Sequence, residues 1–133
     1  MVNVKAIGEW LAKADEDYRY AKASLDEGFA FYDQICFHLH QAAEKYLKAY
    51  IVAKELEFRK VHDLTKLLQI CEVHDNAFED LKDEVRELNP FYIETRYPGF
   101  TNTTDKAQTE KAISMVEKIA DLIKSKLAGE VIC

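Results

Sequence analysis

The stretch His38-Leu39-His40-Gln41-Ala42-Ala43-Glu44-Lys45-Tyr46-Leu47-Lys48-Ala49-Tyr50 decides how this chain folds. At the helical period it sets Leu39, Ala42, Ala43, Tyr46, Leu47 and Tyr50 on one broad face and Gln41, Glu44, Lys45 and Lys48 along its flank. The pattern predicts a helix starting near Phe31 to Asp33 and running to about Lys54. Apolar residues cover more than one of its faces, so this helix is expected to be central, with neighbours on two sides.

Four further amphipathic segments lie around it. The first runs from about Val4 to Glu27, with Ile7, Trp10, Leu11, Ala14, Tyr18, Ala21 and Leu25 at spacings of three and four, Asn3 as N-cap and Gly28 as stop. A charged connector, Leu56 to Val61, leads to a shorter helix that Asp63 is suited to cap, with Leu64, Leu67, Leu68 and Cys71 inward. Another begins around Asn76 and carries Phe78, Leu81, Val85 and Leu88 to a stop at Asn89-Pro90. Phe91 to Arg96 reads as an irregular turn or a kinked extension, because proline disfavours helical geometry in the residue before it. After the polar loop 100–104 the last helix opens at Thr104 or Asp105, where Gln108 completes a capping box, and presents Ala112, Ile113, Val116, Ile119, Ala120, Ile123 and Leu127. Long helices joined by short connectors run antiparallel. The fold class is all-α, an up-and-down antiparallel bundle of four to five helices.

The 133 residues fit a single domain, 1–133, long enough to bury a core without disulfides or metals. A composition 48% apolar and 32% charged is that of a soluble protein, and no apolar run approaches the roughly 20 residues that span a bilayer. The N-terminal residues lack the apolar run of a signal peptide, so a cytoplasmic location is expected. Cys36 and Cys71 fall among apolar residues and read as buried small hydrophobes, and Cys133 as a tail thiol. The net charge of −6 argues against tight non-specific binding to a polyanion, although the acidic excess lies outside the lysine-bearing stretch 45–66.

Three segments carry a family likeness: Gln41-Ala42-Ala43-Glu44-Lys45 with Leu47-Lys48-Ala49, then His62-Asp63-Leu64, then Arg96-Tyr97-Pro98. In this order and at these separations they resemble the HEPN family, the small all-α domains named from higher eukaryotes and prokaryotes nucleotide-binding. The resemblance covers nearly the whole chain and implies the same helical bundle. It also implies that the polar flank of the central helix faces a cleft or a partner subunit, with Lys45 available for an anionic group.

Arg96 and Tyr97 are the foremost site candidates. A guanidinium can grip phosphate bidentately while a ring beside it stacks on a base, and a nucleotide supplies both partners. The structural alternative has Arg96 capping helix carbonyls or pairing with Glu44 or Glu94, and Tyr97 packed at the core edge. His62 either orders the connector through a local hydrogen bond or lines the same cleft as Lys45 and Arg96. Gln41, Glu44, Lys48 and Asp63 are supporting residues. Glu44 and Lys48, one turn apart, read as an exposed ion pair worth a few tenths of a kcal/mol, so that Lys48→Ala should cost well under about 1 kcal/mol. His38 and His40 point to different sides of their helix, and no metal or cofactor is expected beyond a nucleotide ligand.

Many HEPN relatives are metal-independent ribonucleases that place a histidine a few residues after an arginine. Here no histidine follows His74, so Arg96 lacks that partner. The resemblance therefore implies a homodimer that binds a nucleotide or RNA phosphate. It would act with a minimal nucleotidyltransferase subunit in a two-component, toxin–antitoxin-like module. The alternatives are a ribonuclease toxin with a variant centre and a structural docking module.

Overall fold

A computed structural model describes residues 3–94 and 104–129, apart from the side chains of residues 93 and 94. The helices are α1 (Val4–Asp26), α2 (Tyr32–Ala53), α3 (Leu64–His74), α4 (Lys82–Leu88), α5 (Phe91–Glu94) and α6 (Lys106–Leu127), with a 3₁₀ turn at Asn76–Leu81. No strand occurs among the described residues. The expected all-α bundle is the architecture observed, with α2 at its centre.

Local chemistry sets most of the boundaries. Asn3 accepts from the Ala6 N–H at 3.0 Å and starts α1. At the other end Gly28, at φ +85°, takes the left-handed conformation that closes a helix. Its N–H reaches Leu25 O and the Phe29 N–H reaches Ser24 O, the paired bonds of a Schellman turn. The same pair of bonds ends α2, from Glu55 to Val52 O and from Leu56 to Ile51 O, but there Glu55 holds the left-handed position at φ +54°. Asp63 caps α3 by accepting from the Thr65 N–H, and Asp105 and Gln108 form the expected capping box on α6.

The fourth helical segment departs from a single helix. Its first part, Asn76–Leu81, winds as 3₁₀ before α4 begins. Phe78 and Leu81 are three apart, and a tighter turn of about three residues directs both inward, where both are buried. Beyond Pro90 the expected turn or kinked extension is a separate one-turn helix, α5.

Buried positions on α2 go all round the helix, from Ile35 and Cys36 through Leu39, Leu47 and Tyr50 to Ala53. It packs on α1 most extensively, then on α6 and α3, and also meets α4 and α5. The α1 stripe buries Ile7, Ala14 and Ala21, two of them small enough to let the helices lie close. Cys36 and Cys71 are free and buried, and burial pushes their thiols up to about 11 and about 12 respectively, so neither is a reactive nucleophile. Among the described residues no helix is long and apolar enough to cross a membrane.

Leu39 and Leu47 are both fully enclosed. Truncating either to alanine should cost about 2–5 kcal/mol of stability in chemical denaturation, because the surrounding helices can collapse only partly onto the void. A loss below about 1 kcal/mol would contradict the face assignment.

Candidate functional site

The flank of α2 divides between two places. Glu44 and Lys48 lie inside the protein, their side chains only 6% and 7% exposed. Lys48 Nζ donates to Glu44 Oε2 at 2.9 Å and sits 5.9 Å from the Trp10 ring centroid and 5.7 Å from that of Phe58. The pairing of Glu44 with Lys48 matches the sequence reading; the exposure does not. Phe58, carried by the connector, lies against Trp10 of α1 and helps enclose the ammonium. Connector packing of this kind leaves no periodic signature in the sequence.

The second oxygen of Glu44 is also taken. His62 Nδ1 donates to Glu44 Oε1 at 2.8 Å, and the imidazole stacks on Tyr92 of α5, centroids 4.5 Å apart and planes 15° from parallel. His62 thus ties the connector to α2 through a long-range bond rather than the local one expected, while its side chain stays half-exposed and its other ring nitrogen has no partner among the described residues. Next to it in the chain, Asp63 accepts from Asn89 Nδ2 at 3.0 Å while Asn89 Oδ1 accepts from the Leu64 N–H at 2.8 Å. One amide at the end of α4 therefore fixes the start of α3. In sequence Asn89 signals only a helix stop before Pro90.

His40, also on α2, is fully buried, with its ring 5.4 Å from that of Tyr92. Neither of its ring nitrogens has a hydrogen-bond partner among the described residues, and the same holds for the buried Gln41 Oε1. Burial holds His40 below the usual histidine range, against the opposing pull of the Glu44 charge and of the Gln41 and Asn89 side chains, which lie near the ring without meeting hydrogen-bond geometry. Unpaired polar atoms in an interior are costly, and a group of them beside an aromatic stack is a place to look for function. His40 does not stand out in the sequence as part of a site, whereas Tyr92 belongs to the aromatic and polar segment between Pro90 and Pro98 that carries Arg96 and Tyr97.

Lys45 belongs to the other place. Its Nζ lies 2.5 Å from Asp17 Oδ2 on α1, and His38 Nδ1 approaches the second Asp17 oxygen at 3.4 Å. Burial alone would raise the Asp17 carboxyl, but the bonds from His38 and Lys45 outweigh it and hold the group below the usual carboxylate range. Lys45 is thus engaged with α1, whereas His62 is engaged with Glu44. Arg96 and Tyr97, the other two members of the expected site, lie outside the described residues. Among those described, no group of three or more His, Cys, Asp or Glu side chains is arranged to hold a metal ion.

Two measurements test this geometry. Lys48→Ala should cost about 3 kcal/mol rather than a few tenths, because it removes the cation that balances a buried carboxylate and leaves His62 as its remaining described partner. The double change Lys48→Met with Glu44→Gln should recover most of that loss, and urea denaturation of the three proteins would decide it. For His40 the sign follows from its lowered value. The unfolded chain takes up a proton near pH 6.5 that the folded chain refuses until lower pH, so stability falls as pH drops below about 6.5. His40→Leu should flatten that slope in melts between pH 7 and pH 5 without loss at pH 7; an unchanged slope would show that the folded imidazole titrates normally.

The HEPN domain family model matches residues 7–126. Among solved structures, the protein TT1696 from Thermus thermophilus superposes with a TM-score of 0.80 at 28% identity, over 91% of this chain and 98% of that one. ST0689, an archaeal HEPN homologue, superposes with a TM-score of 0.74 at 22% identity, over 91% and 97% of the two chains; at that identity the likeness is one of fold. No match was found among curated proteins. The helix-two segment, the His-Asp-Leu start of α3 and nearly all of the bundle around α2 fall within the matched span, and the chain belongs to the HEPN family.

Proposed function

We propose that this protein binds a nucleotide or an RNA phosphate and works in the cytoplasm as a homodimer with a minimal nucleotidyltransferase subunit, in a two-component, toxin–antitoxin-like module. The observation that carries the binding reading is the cluster at the junction of α2, the connector and α5. There Glu44 holds the half-exposed His62 ring flat against Tyr92 and leaves its second nitrogen free of described partners. An aromatic face with hydrogen-bonding groups at its edge suits a base, and Arg96 and Tyr97, which follow α5 in the chain, supply phosphate-gripping and stacking chemistry. Lys45 joins such a site only by giving up Asp17. The partner enzyme and the module follow from family analogy.

A second reading, a metal-independent ribonuclease with a variant centre, draws on one observation. Glu44 and His62 are a carboxylate and an imidazole hydrogen-bonded as in a general-base pair. It requires RNA cleavage in the presence of chelator that His62→Ala abolishes; intact RNA after prolonged incubation would dismiss it.

Calorimetry against nucleotides and short RNAs tests the binding reading. Arg96→Ala should weaken binding by about 1.5–3 kcal/mol with the melting temperature little changed. Tyr97→Ala should weaken it by about 1–3 kcal/mol, while Tyr97→Phe keeps the stacking face and most of the affinity. Rising salt should loosen the complex. If no such ligand binds and Arg96→Ala unfolds the chain, the arginine is structural and the docking-module reading takes over.

A further inference from the structure

His40 is closed off from water, and neither of its ring nitrogens has a hydrogen-bond partner among the described residues. The groups that face it come from four elements: Gln41 and Glu44 on α2, His62 on the connector, Asn89 at the end of α4, and Tyr92 on α5, whose ring lies 5.4 Å away. A neutral imidazole can stay in such a place. An imidazolium cannot, because a charge removed from water needs hydrogen bonds and a counter-ion to hold it there.

The counter-ion within reach is already committed. Glu44 takes the Lys48 ammonium on one oxygen and His62 on the other, so a proton on His40 would add a further cation to a carboxylate that has none of its charge to spare. Water must therefore reach the ring, and the walls differ in how easily they give way. Asn89 is held at both ends of its amide, by Asp63 and by the Leu64 N–H, and α2 is the central helix. α5 is the thin wall, a single turn of four residues after Pro90. So short a helix does not hold its own shape, and it depends on being seated against α2. The tilted Tyr92 ring offers an imidazolium some cation–π attraction, but less than the penalty of a buried charge without hydrogen bonds.

We propose that His40 is an acid-sensitive latch for α5: the neutral ring seats Tyr92, and the ring that takes up a proton reaches water by displacing α5 from α2 while the rest of the bundle stays folded. The sign follows from burial. With α5 seated the ring resists a proton; with α5 released it is exposed and titrates as an ordinary histidine, near 6.5. Proton uptake then favours the released form below that value and the seated form above it, by about tenfold for each further pH unit. Tyr92 is also the ring on which His62 stacks. Release takes that face away, so acid weakens the stacking of a base there; this consequence rests on the binding reading above, whereas the release of α5 does not.

Fluorotyrosine NMR on the full chain tests the latch. Tyr92 is identified by the signal lost in Tyr92→Phe, and its relaxation by a neutral nitroxide in the solvent reads its exposure. Between pH 7 and pH 5 the ratio of released to seated α5 should rise about twentyfold, seen as a steep gain in that relaxation. The buried rings Tyr46 and Tyr50 should not respond. In His40→Leu the exposure of Tyr92 should be the same at both pH values, and His40→Gln gives the same answer should the leucine variant fail to fold. His62→Gln should keep the release, because the proton that drives it is on His40. Relaxation that stays constant in the wild type, or that rises as steeply in the His40 variants, overturns the latch. Nucleotide or RNA affinity at the two pH values is read separately: affinity that is unchanged while α5 is released counts against the binding reading at Tyr92 and leaves the latch standing.

Discussion

Glu44 is a carboxylate inside a helical bundle, and everything around it is arranged so that it can stay there. One oxygen takes the Lys48 ammonium and the other the His62 ring N–H. The first bond is internal to α2, but it brings a cation into the interior that Trp10 and Phe58 must enclose. The second reaches across to the connector and, through the stack on Tyr92, to α5. A buried ion pair adds little net stability over an apolar equivalent, because the cost of removing both charges from water offsets their attraction. What it does here is tie three non-adjacent segments to one point. The irregular half of the molecule is held by that point and by Asn89, the regular half by the apolar faces of α1, α2 and α6.

The adjacent residues Glu44 and Lys45 serve different surfaces because successive side chains on a helix point about 100° apart. Glu44 turns toward the connector, while Lys45 turns toward α1 and Asp17. A family signature that reads as one continuous polar flank therefore supports two separate local structures, and substitutions at the two positions report on different parts of the molecule.

The long helices were legible because period and caps agree. Ile7, Ala14 and Ala21 mark the buried stripe of α1, Asn3 and Gly28 mark its ends, and Asp105 with Gln108 opens α6. The short elements were less so. Six residues from Asn76 are too few for periodicity to separate a 3₁₀ turn from an α-helix, and Phe78 and Leu81 suit either. The site was legible as residue types and not as contacts. His62 and Glu44 were both picked out, yet their bond spans 18 positions and depends on the path of the connector. The burial of Lys48 depends on Phe58 in the same segment. His40 looked like one of two alternating histidines, and only packing shows that its neighbour His38 faces Asp17 while it faces the interior.

The closeness of α1 and α2 in sequence bears on how the bundle assembles. These helices share the most extensive contact in the molecule and are joined by the turn 27–31, so the chain loses little entropy in bringing them together. α6 must return to the same central helix across more than 50 intervening residues. Closing that larger loop first would fix the chain before any contact repaid it, which favours an order in which the N-terminal hairpin forms and α6 then docks on a prepared face. A chain emerging N-terminus first presents its helices in that order, with the apolar side of α2 open to solvent until the last helix arrives.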